Sequence, residues 1–464
     1  MSSRNSLPQA RLSLVLVLAA FLILGIIYSS SVPIFEKPDE LFHYFFVQHL
    51  LDERSLPVMG GPGEHLWEQE GSQPPLYYTL AALVTSWVDT SDARELLWLN
   101  PQRNLGDPEN PGNKNFTVHT DRETRPYRGT TLAVHIARWL SLLFGAGTVI
   151  LIYVIVQQVF PARPLLALSA AAINAFIPQF LFISSSVSND SLITFLAALT
   201  LLQLIRIAAG TLARKKGNEP YRCGWRACSA LGITIGLAAL TKLSGLALLG
   251  LSGLIFCWIA WRRRSWRILL TDGLIVGGVT AVIAGWWFVR NLQLYGSLDG
   301  IDLHLQAMGG RRELALTAES AWRELIGLRA SFWGLFGWFG ILMPEWVYQV
   351  IDLLTLVGVI GLARRRNGRN WGQGTAITLL WLALVLISLL RWTTMVEGSQ
   401  GRLLFPALPG IALLLALGWS NVLPARWKSW RYAFPLGVAG GLFVLSAVVP
   451  SRIIAPAYAR PQLL

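Results

Sequence analysis

The chain has 464 residues, of which 53% are hydrophobic and only 14% are charged. Soluble domains carry about 25% charged residues, so a series of ordinary globular domains is excluded. The net charge of +13 does not indicate a nucleic-acid partner, because the basic residues flank the ends of apolar runs instead of clustering in one domain. The composition therefore predicts a polytopic membrane protein.

The apolar runs are long enough for helices that cross about 30 Å of hydrocarbon, and they predict an all-α fold with about eleven transmembrane helices. Arg4 and Arg11 precede the first run and favour a cytoplasmic N-terminus. A cleaved signal peptide is the alternative, although the run is long for one. The predicted spans are 12–28, 131–158, 164–184, 190–208, 228–241, 245–261, 269–289, 346–363, 373–391, 403–422 and 432–450.

The spans leave two long extracytoplasmic segments, which we expect to hold helices at the membrane surface. Of the 26 acidic residues, only Glu219 and Asp272 fall on the predicted cytoplasmic side, so the ionisable chemistry is expected on the outer face. The predicted divisions are 1–31 (first helix), 32–130 (first extracytoplasmic segment), 131–289 (helices two to seven), 290–345 (second extracytoplasmic segment), 346–450 (helices eight to eleven) and 451–464 (extracytoplasmic tail).

The three cysteines, Cys223, Cys228 and Cys257, lie outside both extracytoplasmic segments. They indicate no disulfide framework. The spacing of Cys223 and Cys228, without a partner ligand nearby, is a poor zinc motif. We therefore expect no functional role for them.

The first candidate site follows the first helix. Pro38 predicts a helix start, and a helical projection places Asp39, Glu40 and His43 within an arc of about 100°. Complementing the helix dipole is one explanation for the two acids. A divalent metal bound by Asp39 and His43 is another possibility, but no third ligand is identifiable, so the metal question stays open.

The second candidate site runs from Gln73 through Pro74 and Pro75 to Tyr77 and Tyr78. Two prolines before an aromatic, amphipathic stretch predict a helix lying in the membrane interface. A simple interfacial anchor and a substrate-binding surface both fit this pattern.

Several cations and their neighbours complete the candidates. Lys242 lies at the turn of a predicted hairpin with short arms, so either it is a functional group below the surface or it snorkels outward. Arg402 ends the segment that runs from Glu397 through Gln400 and contains Gly398 and Gly401. Its guanidinium suits phosphate binding, and the two glycines suit close ligand approach. Further candidates with simpler explanations are Asn189 and Asp190 (helix caps) and Arg290 (an interfacial anchor).

The order of these features resembles the GT-C class of integral membrane glycosyltransferases, which includes protein O-mannosyltransferases and aminoarabinose transferases. The acidic pair comes first and the Pro-Pro-aromatic helix second. More narrowly, the segments Ser188–Ser191, Leu240–Gly245 and Gln400–Pro406 look like signatures of an uncharacterised bacterial membrane family grouped with those enzymes.

This resemblance implies a sugar donor on a polyprenyl phosphate and an acceptor at the extracytoplasmic face of the bacterial plasma membrane, with inversion at the anomeric carbon. Asp39, or else Glu40, would act as the general base. Lys242 and Arg402 would bind the donor phosphate. The possible substrate-binding residues are His43, Gln73, Tyr77, Tyr78, Asn189, Asp190, Arg290, Glu397 and Gln400.

Two other functions are compatible with the sequence. A transporter or flippase of lipid-linked saccharides would also place ionisable residues near the outer leaflet, but repeated halves and broken helices are not evident. A non-catalytic membrane scaffold is the other. The sequence does not identify the sugar, the acceptor or the oligomeric state.

Overall fold

A computed structural model describes residues 6–60, 65–103, 106, 108, 113–213, 223–309, 311–364, 372–423, 427 and 430–459. Among these residues, nine helices are long and apolar enough to cross a membrane, or ten with one bent pair. The expectation of a polytopic helical membrane protein is confirmed. The nine are Leu12–Ser31, Gly129–Val159, Asp190–Leu212, Leu243–Arg263, Arg267–Tyr295, Glu345–Ala363, Gln373–Met395, Gly401–Ser420 and Ala433–Tyr458.

In chain order, the helices are α1 (Ser6–Ser31), α2 (Glu40–Glu53), α3 (Leu76–Thr85), α4 (Gly129–Val159), α5 (Pro164–Ala175), α6 (Pro178–Ser184), α7 (Asp190–Ala213), α8 (Trp225–Ala239), α9 (Leu246–Arg263), α10 (Arg267–Tyr295), α11 (Ile301–Met308), α12 (Ala318–Trp333), α13 (Glu345–Ala363), α14 (Gln373–Met395), α15 (Leu408–Ser420), α16 (Ala433–Val449) and α17 (Ala455–Tyr458). Each of the eleven predicted runs coincides with one of these helices or with the bent pair. Arg4 and Glu219, which the sequence analysis places on the cytoplasmic side, fall outside the described residues.

Two spans differ from simple crossing helices. The run predicted at 164–184 is broken into α5 and α6, which are bent by 67°. Pro178 begins α6, where a proline nitrogen cannot continue the hydrogen bonding of a preceding helix. α8 has only 15 residues, which is shorter than a full span. The exact number of crossings and their orientation remain predictions.

The two polar segments contain the surface elements. The interfacial helix expected after Pro74 and Pro75 is present as α3. The second segment holds α11, α12 and two short strands, which the all-α prediction did not include. The strands β1 (Leu335–Phe336) and β2 (Ile341–Leu342) pair antiparallel, with Leu335 opposite Leu342. The predicted tail instead begins as a continuation of α16, through a π-helical turn into α17.

Packing joins both polar segments around the start of α2. The rings of Phe46 on α2 and Tyr78 on α3 stack at 3.9 Å between centroids. The indole of Trp338, in the second segment, donates a 2.9 Å hydrogen bond to the carbonyl oxygen of Phe35 in the first. These contacts bring the first segment, the second segment and the helix ends together in one region.

Candidate active site

The short stretch before α2 is held by two buried acids. The Oε1 atom of Glu36 accepts hydrogen bonds from the backbone amides of Phe116 (2.6 Å) and Thr117 (3.0 Å). Glu40 forms an ion pair with Arg138 on α4, with distances of 2.8 Å and 2.5 Å from the guanidinium nitrogens to its two oxygens. Both partners of this pair are inaccessible to solvent. Glu36 and Glu40 therefore fix the backbone on either side of Asp39.

Asp39 has a left-handed backbone conformation, with φ of 58°, immediately before α2 begins at Glu40. Its carboxylate accepts hydrogen bonds from Arg402 and, at 3.0 Å, from the Gln69 amide. The expectation that Glu40 shares one arc with Asp39 and His43 is wrong, because Asp39 is not in the helix that the projection assumed. The two neighbouring acids face different surroundings.

Arg402 connects Asp39 to a second acid. One terminal nitrogen contacts Asp39, and the other lies 3.4 Å from Oδ2 of Asp190. Its Nε atom donates a 2.6 Å hydrogen bond to Gln400. The neighbouring Gly401 packs against α12, where an added Cβ would lie 2.2 Å from the backbone nitrogen of Phe332. This glycine therefore allows helix packing, and not the close approach of a ligand that the sequence suggested.

Lys242 provides a second cation on the same acid. Its Nζ atom lies 2.6 Å from Oδ1 of Asp190, which is the first residue of α7. The Lys242 side chain is 22% exposed, whereas that of Asp190 is 6% exposed. Lys242 and Arg402 therefore bracket one buried carboxylate, and Lys242 keeps access to solvent.

A second branch of the site centres on His43. Its Nδ1 atom lies 2.8 Å from the Tyr78 hydroxyl and 3.7 Å from a carboxylate oxygen of Glu70. The Tyr78 hydroxyl also contacts Asn189, whose amide donates at 3.4 Å. Asn189 further contacts Gln73 at 3.4 Å. We define the acid–base cluster as Asp39, His43, Glu70, Tyr78, Asn189, Asp190, Lys242 and Arg402.

Asp39 and Glu70 respond differently to their surroundings. Burial raises the pKa of Asp39, but Arg402, His43 and the hydrogen bond from Gln69 together lower it below its usual value. Burial also raises the pKa of Glu70, repulsion from Asp39 raises it further, and His43 offsets part of this. Two carboxyl groups with pKa values moved in opposite directions are suited to different protonation states.

The structure brings together most of the predicted site residues. Gln73 and Gln400 each contact a member of the acid–base cluster, and the hydroxyl of Tyr77 accepts from the backbone amide of Ser188 at 3.0 Å. Three predicted residues lie elsewhere. Glu40 pairs with Arg138, and Arg290 donates a 2.7 Å hydrogen bond to the Pro57 carbonyl. The exposed Glu397 lies 3.7 Å from Arg312.

Four residues of this region were missed by the sequence analysis. Gln69 and Glu70 are polar residues just before the candidate site that runs from Gln73 to Tyr78, and this position could have identified them. His304 contacts the Gln69 carbonyl at 2.8 Å, a long-range contact that no local pattern indicates. Arg138 is a lone cation in an apolar helix, which is itself a signal of function or of a buried partner.

A cavity of about 440 Å³ lies beside the cluster. Its lining includes Phe42 and Gln69, and Gln69 is the residue that donates to Asp39. In the described part of the chain, no third His, Cys, Asp or Glu joins Asp39 and His43 in a geometry that would hold a metal ion. Gln69 therefore both lines this cavity and contacts the Asp39 carboxylate.

Sequence comparison identifies one related family. Residues 112–296 match the family described as dolichyl-phosphate-mannose-protein mannosyltransferase. The matched stretch includes Asn189, Asp190 and Lys242, but neither Asp39 nor Arg402. No curated protein matches the chain.

Solved structures provide the fold comparison. ArnT from Cupriavidus metallidurans in the apo state is 14% identical, with a TM-score of 0.50 over 96% of this chain and 73% of that protein. The Archaeoglobus fulgidus oligosaccharyltransferase in complex with Zn and sulfate is 15% identical, with a TM-score of 0.49, covering 94% of this chain and 53% of that one. For the S. cerevisiae protein O-mannosyltransferase Pmt1-Pmt2 complex the identity is 19%, the TM-score 0.39 and the coverage 60% and 34%.

The chain thus spans about half of the archaeal protein and about a third of the yeast one. At these identities the likeness to ArnT concerns the fold alone. The family match and this shared fold confirm the resemblance to the GT-C membrane glycosyltransferases. The chain is a multi-pass membrane protein that resembles the dolichyl-phosphate-mannose-protein mannosyltransferase family over residues 112–296 and shares the overall fold of ArnT.

Proposed function

We propose that this protein is a membrane glycosyltransferase that moves a sugar from a polyprenyl-phosphate donor to an acceptor hydroxyl, with inversion at the anomeric carbon. The observation that carries the proposal is the contact of Asp39, the proposed base, with Arg402, the proposed phosphate ligand. A base and a cation for the leaving group are the two parts that this reaction needs. The match to a dolichyl-phosphate-mannose-dependent family supports the donor class.

Lys242 and Arg402 are proposed to bind the donor phosphate. Both are held by Asp190, so the positive charges are already positioned before a donor arrives. When the donor phosphate binds between them, the two cations offset the negative charge that builds up on this leaving group as the glycosidic bond breaks. Lys242 is partly exposed, and is therefore the cation that an entering lipid phosphate meets first.

Donor binding is proposed to activate Asp39. Arg402 lowers the pKa of Asp39, so a phosphate that attracts this guanidinium weakens the effect and makes the carboxylate a stronger base. Asp39 then takes the proton of the acceptor hydroxyl, whose oxygen attacks the anomeric carbon. The electron pair of the broken bond leaves with the lipid phosphate.

The neighbouring acids receive different roles. Glu40 is proposed to be structural, because Arg138 and the backbone amides of Phe35 and Val187 occupy its oxygens in a site without solvent access. Glu70, whose pKa burial raises, is proposed to orient His43 and Tyr78, which lie 3.7 Å and 3.5 Å from its carboxylate. The cavity beside Gln69 is proposed as the acceptor entrance.

The proposed location is the bacterial plasma membrane, with the acid–base cluster at the extracytoplasmic face. The support is the distribution of basic residues: Arg262 and Arg263 end α9, and α9 begins next to Lys242. Arginines mark the cytoplasmic ends of membrane helices, so the Lys242 end of α9 lies opposite.

The test uses purified full-length protein in lipid with a panel of polyprenyl-monophosphate sugars and candidate acceptors. We expect the wild type to consume one donor and Asp39→Asn to lose about 10²- to 10⁴-fold of that activity while still binding the donor. Asp52→Asn is the matched control, because Asp52 is an exposed acid on α2 outside the acid–base cluster, and its carboxylate accepts a hydrogen bond from Gln48. It should keep full activity.

Two outcomes would contradict parts of this proposal. Transfer that persists in both Asp39→Asn and Glu40→Gln would remove the loop carboxylate as the base. Donor binding without consumption, together with movement of a labelled donor across proteoliposomes, would establish a flippase instead. Binding with neither activity would favour a scaffold.

A further inference from the structure

A second cluster of reactive side chains lies away from the acid–base cluster. Cys223 lies two residues before α8, Cys228 is in the first turn of α8, and Asp272 is in the second turn of α10. All three are buried, and their two sulfur atoms and one carboxylate oxygen lie within 4.8 Å of one another. Within the part of the chain that the structure describes, no other group of three His, Cys, Asp or Glu side chains converges in this way.

Two thiols and one carboxylate are ligands that Zn²⁺ binds in proteins. Cysteine thiolates bind Zn²⁺ at about 2.3 Å and carboxylate oxygens at about 2.0–2.2 Å, so two ligand atoms of one ion are at most about 4.6 Å apart. The separations in this group, within 4.8 Å, are close to that limit. The backbone amide of Cys223 donates a 2.9 Å hydrogen bond to Oδ2 of Asp272. The Thr271 hydroxyl donates to Oδ1 of the same carboxylate at 3.3 Å. Outer contacts of this kind orient a ligating carboxylate.

We propose that Cys223, Cys228 and Asp272 form a binding site for Zn²⁺. Binding replaces the two thiol protons, which pass to solvent, with two sulfur–zinc bonds. The three negative charges outweigh the charge of the ion by one, and a water molecule completes a tetrahedron. This site is independent of the glycosyltransferase proposal.

The position of the site gives it a structural consequence. α8 and α10 are already in close contact, since an added Cβ on Gly232 would lie 2.9 Å from the carbonyl oxygen of Val276. A metal ion at the beginning of α8 locks this helix pair at one end. The other end of α8, about 16 Å away at 1.5 Å per residue, leads directly into Lys242 of the acid–base cluster.

The test measures metal in full-length protein purified in detergent under reducing conditions. After incubation with Zn²⁺ and desalting, we expect about one ion per chain in the wild type and a loss of about tenfold or more in Cys223→Ser, Cys228→Ser and Asp272→Asn. Cys257→Ser is the matched control, because Cys257 is the remaining cysteine and lies on α9 outside the cluster. It should retain the full amount.

A spectroscopic measurement keeps the test valid if the variants fail to fold. Wild-type protein titrated with Co²⁺ should develop a thiolate-to-cobalt charge-transfer band and the visible bands of tetrahedral cobalt, and Zn²⁺ should displace both. Absence of these bands, with three thiols titratable by a thiol reagent, would overturn the proposal. A Cys223–Cys228 disulfide in freshly isolated protein would overturn it as well and would identify a redox pair.

Discussion

Asp39 and Glu40 are adjacent in the chain, yet they lie in two regions with opposite character. Glu40 pairs with the fully buried Arg138 and accepts hydrogen bonds from two backbone amides, so these donors are fixed by the fold. Asp39 is 15% exposed and is held by the side chains of Arg402 and Gln69, which a ligand can displace. A carboxylate surrounded by rigid donors therefore serves the fold, whereas one held by side chains that a ligand can recruit is available for chemistry.

The comparison predicts its largest effect for Glu40→Gln. This change leaves the buried Arg138 without a counter-charge, which costs about 3–5 kcal/mol of stability. Asp39→Asn should change stability far less, because its partner Arg402 retains Asp190. Thermal unfolding of both variants in the same lipid checks this. Equal unfolding temperatures for the two variants would remove the distinction between the regions.

Glu36, the third acid in the chain before and at the start of α2, contacts His119, and the strength of this contact depends on pH. The Nε2 atom of His119 lies 2.9 Å from Glu36, and Nδ1 lies 2.9 Å from Glu123. Burial lowers the pKa of His119, but these two carboxylates raise it to about 9, from 6.5. The raised pKa stabilises the folded state fully below about pH 6.5, and this stabilisation disappears as the pH rises through about 9.

We therefore expect His119→Gln to lose up to about 3 kcal/mol of stability at low pH, at 1.36 kcal/mol per pKa unit. The difference from the wild type should vanish above about pH 9. Unfolding temperatures measured at both ends of this range provide the test, with the exposed His65→Gln as the control. A difference that is constant with pH would show that charge on His119 is not the cause.

A smaller effect is expected for donor binding by Arg402, which Asp39 and Asp190 hold in place. Arg402→Gln should raise KM for the donor about 10- to 100-fold, corresponding to about 1.4–2.7 kcal/mol. Arg290→Gln provides a matched control, because that arginine contacts the Pro57 carbonyl outside the acid–base cluster. Initial rates across donor concentrations distinguish the two. An equal change in both variants would indicate a general effect of surface charge.

The smallest expected effect is a shift in the pH profile. Asp39 must be deprotonated to act as a base, so kcat/KM should fall as the pH falls through its pKa. Arg402 lowers that pKa, and Arg402→Gln should therefore move the acid limb to higher pH. Rates of this variant and of Arg290→Gln across the acidic range provide the comparison. If the acid limb of the pH profile does not move, the pKa that it reports belongs to a group other than Asp39.

The local patterns predicted residue types and elements better than they predicted orientation. The Pro74–Pro75 pair correctly indicated α3, and polar motifs far apart in the chain indicated Asp190, Lys242 and Arg402 as site candidates. The helical projection failed at Asp39, because a single left-handed residue redirects its side chain. Gly401 was assigned to ligand approach, whereas it accommodates the backbone of α12.

The sequence is sufficient to identify a helical membrane protein, because the length and apolarity of a run decide whether it can cross hydrocarbon. Which charges share a site depends on the packing of the helices. Arg402 and Asp39 are in contact although they are 363 positions apart in the chain. Asp272 and Cys223 are in contact although they are 49 positions apart. Such contacts depend on how helices pack, and local periodicity carries no information about the packing of distant helices.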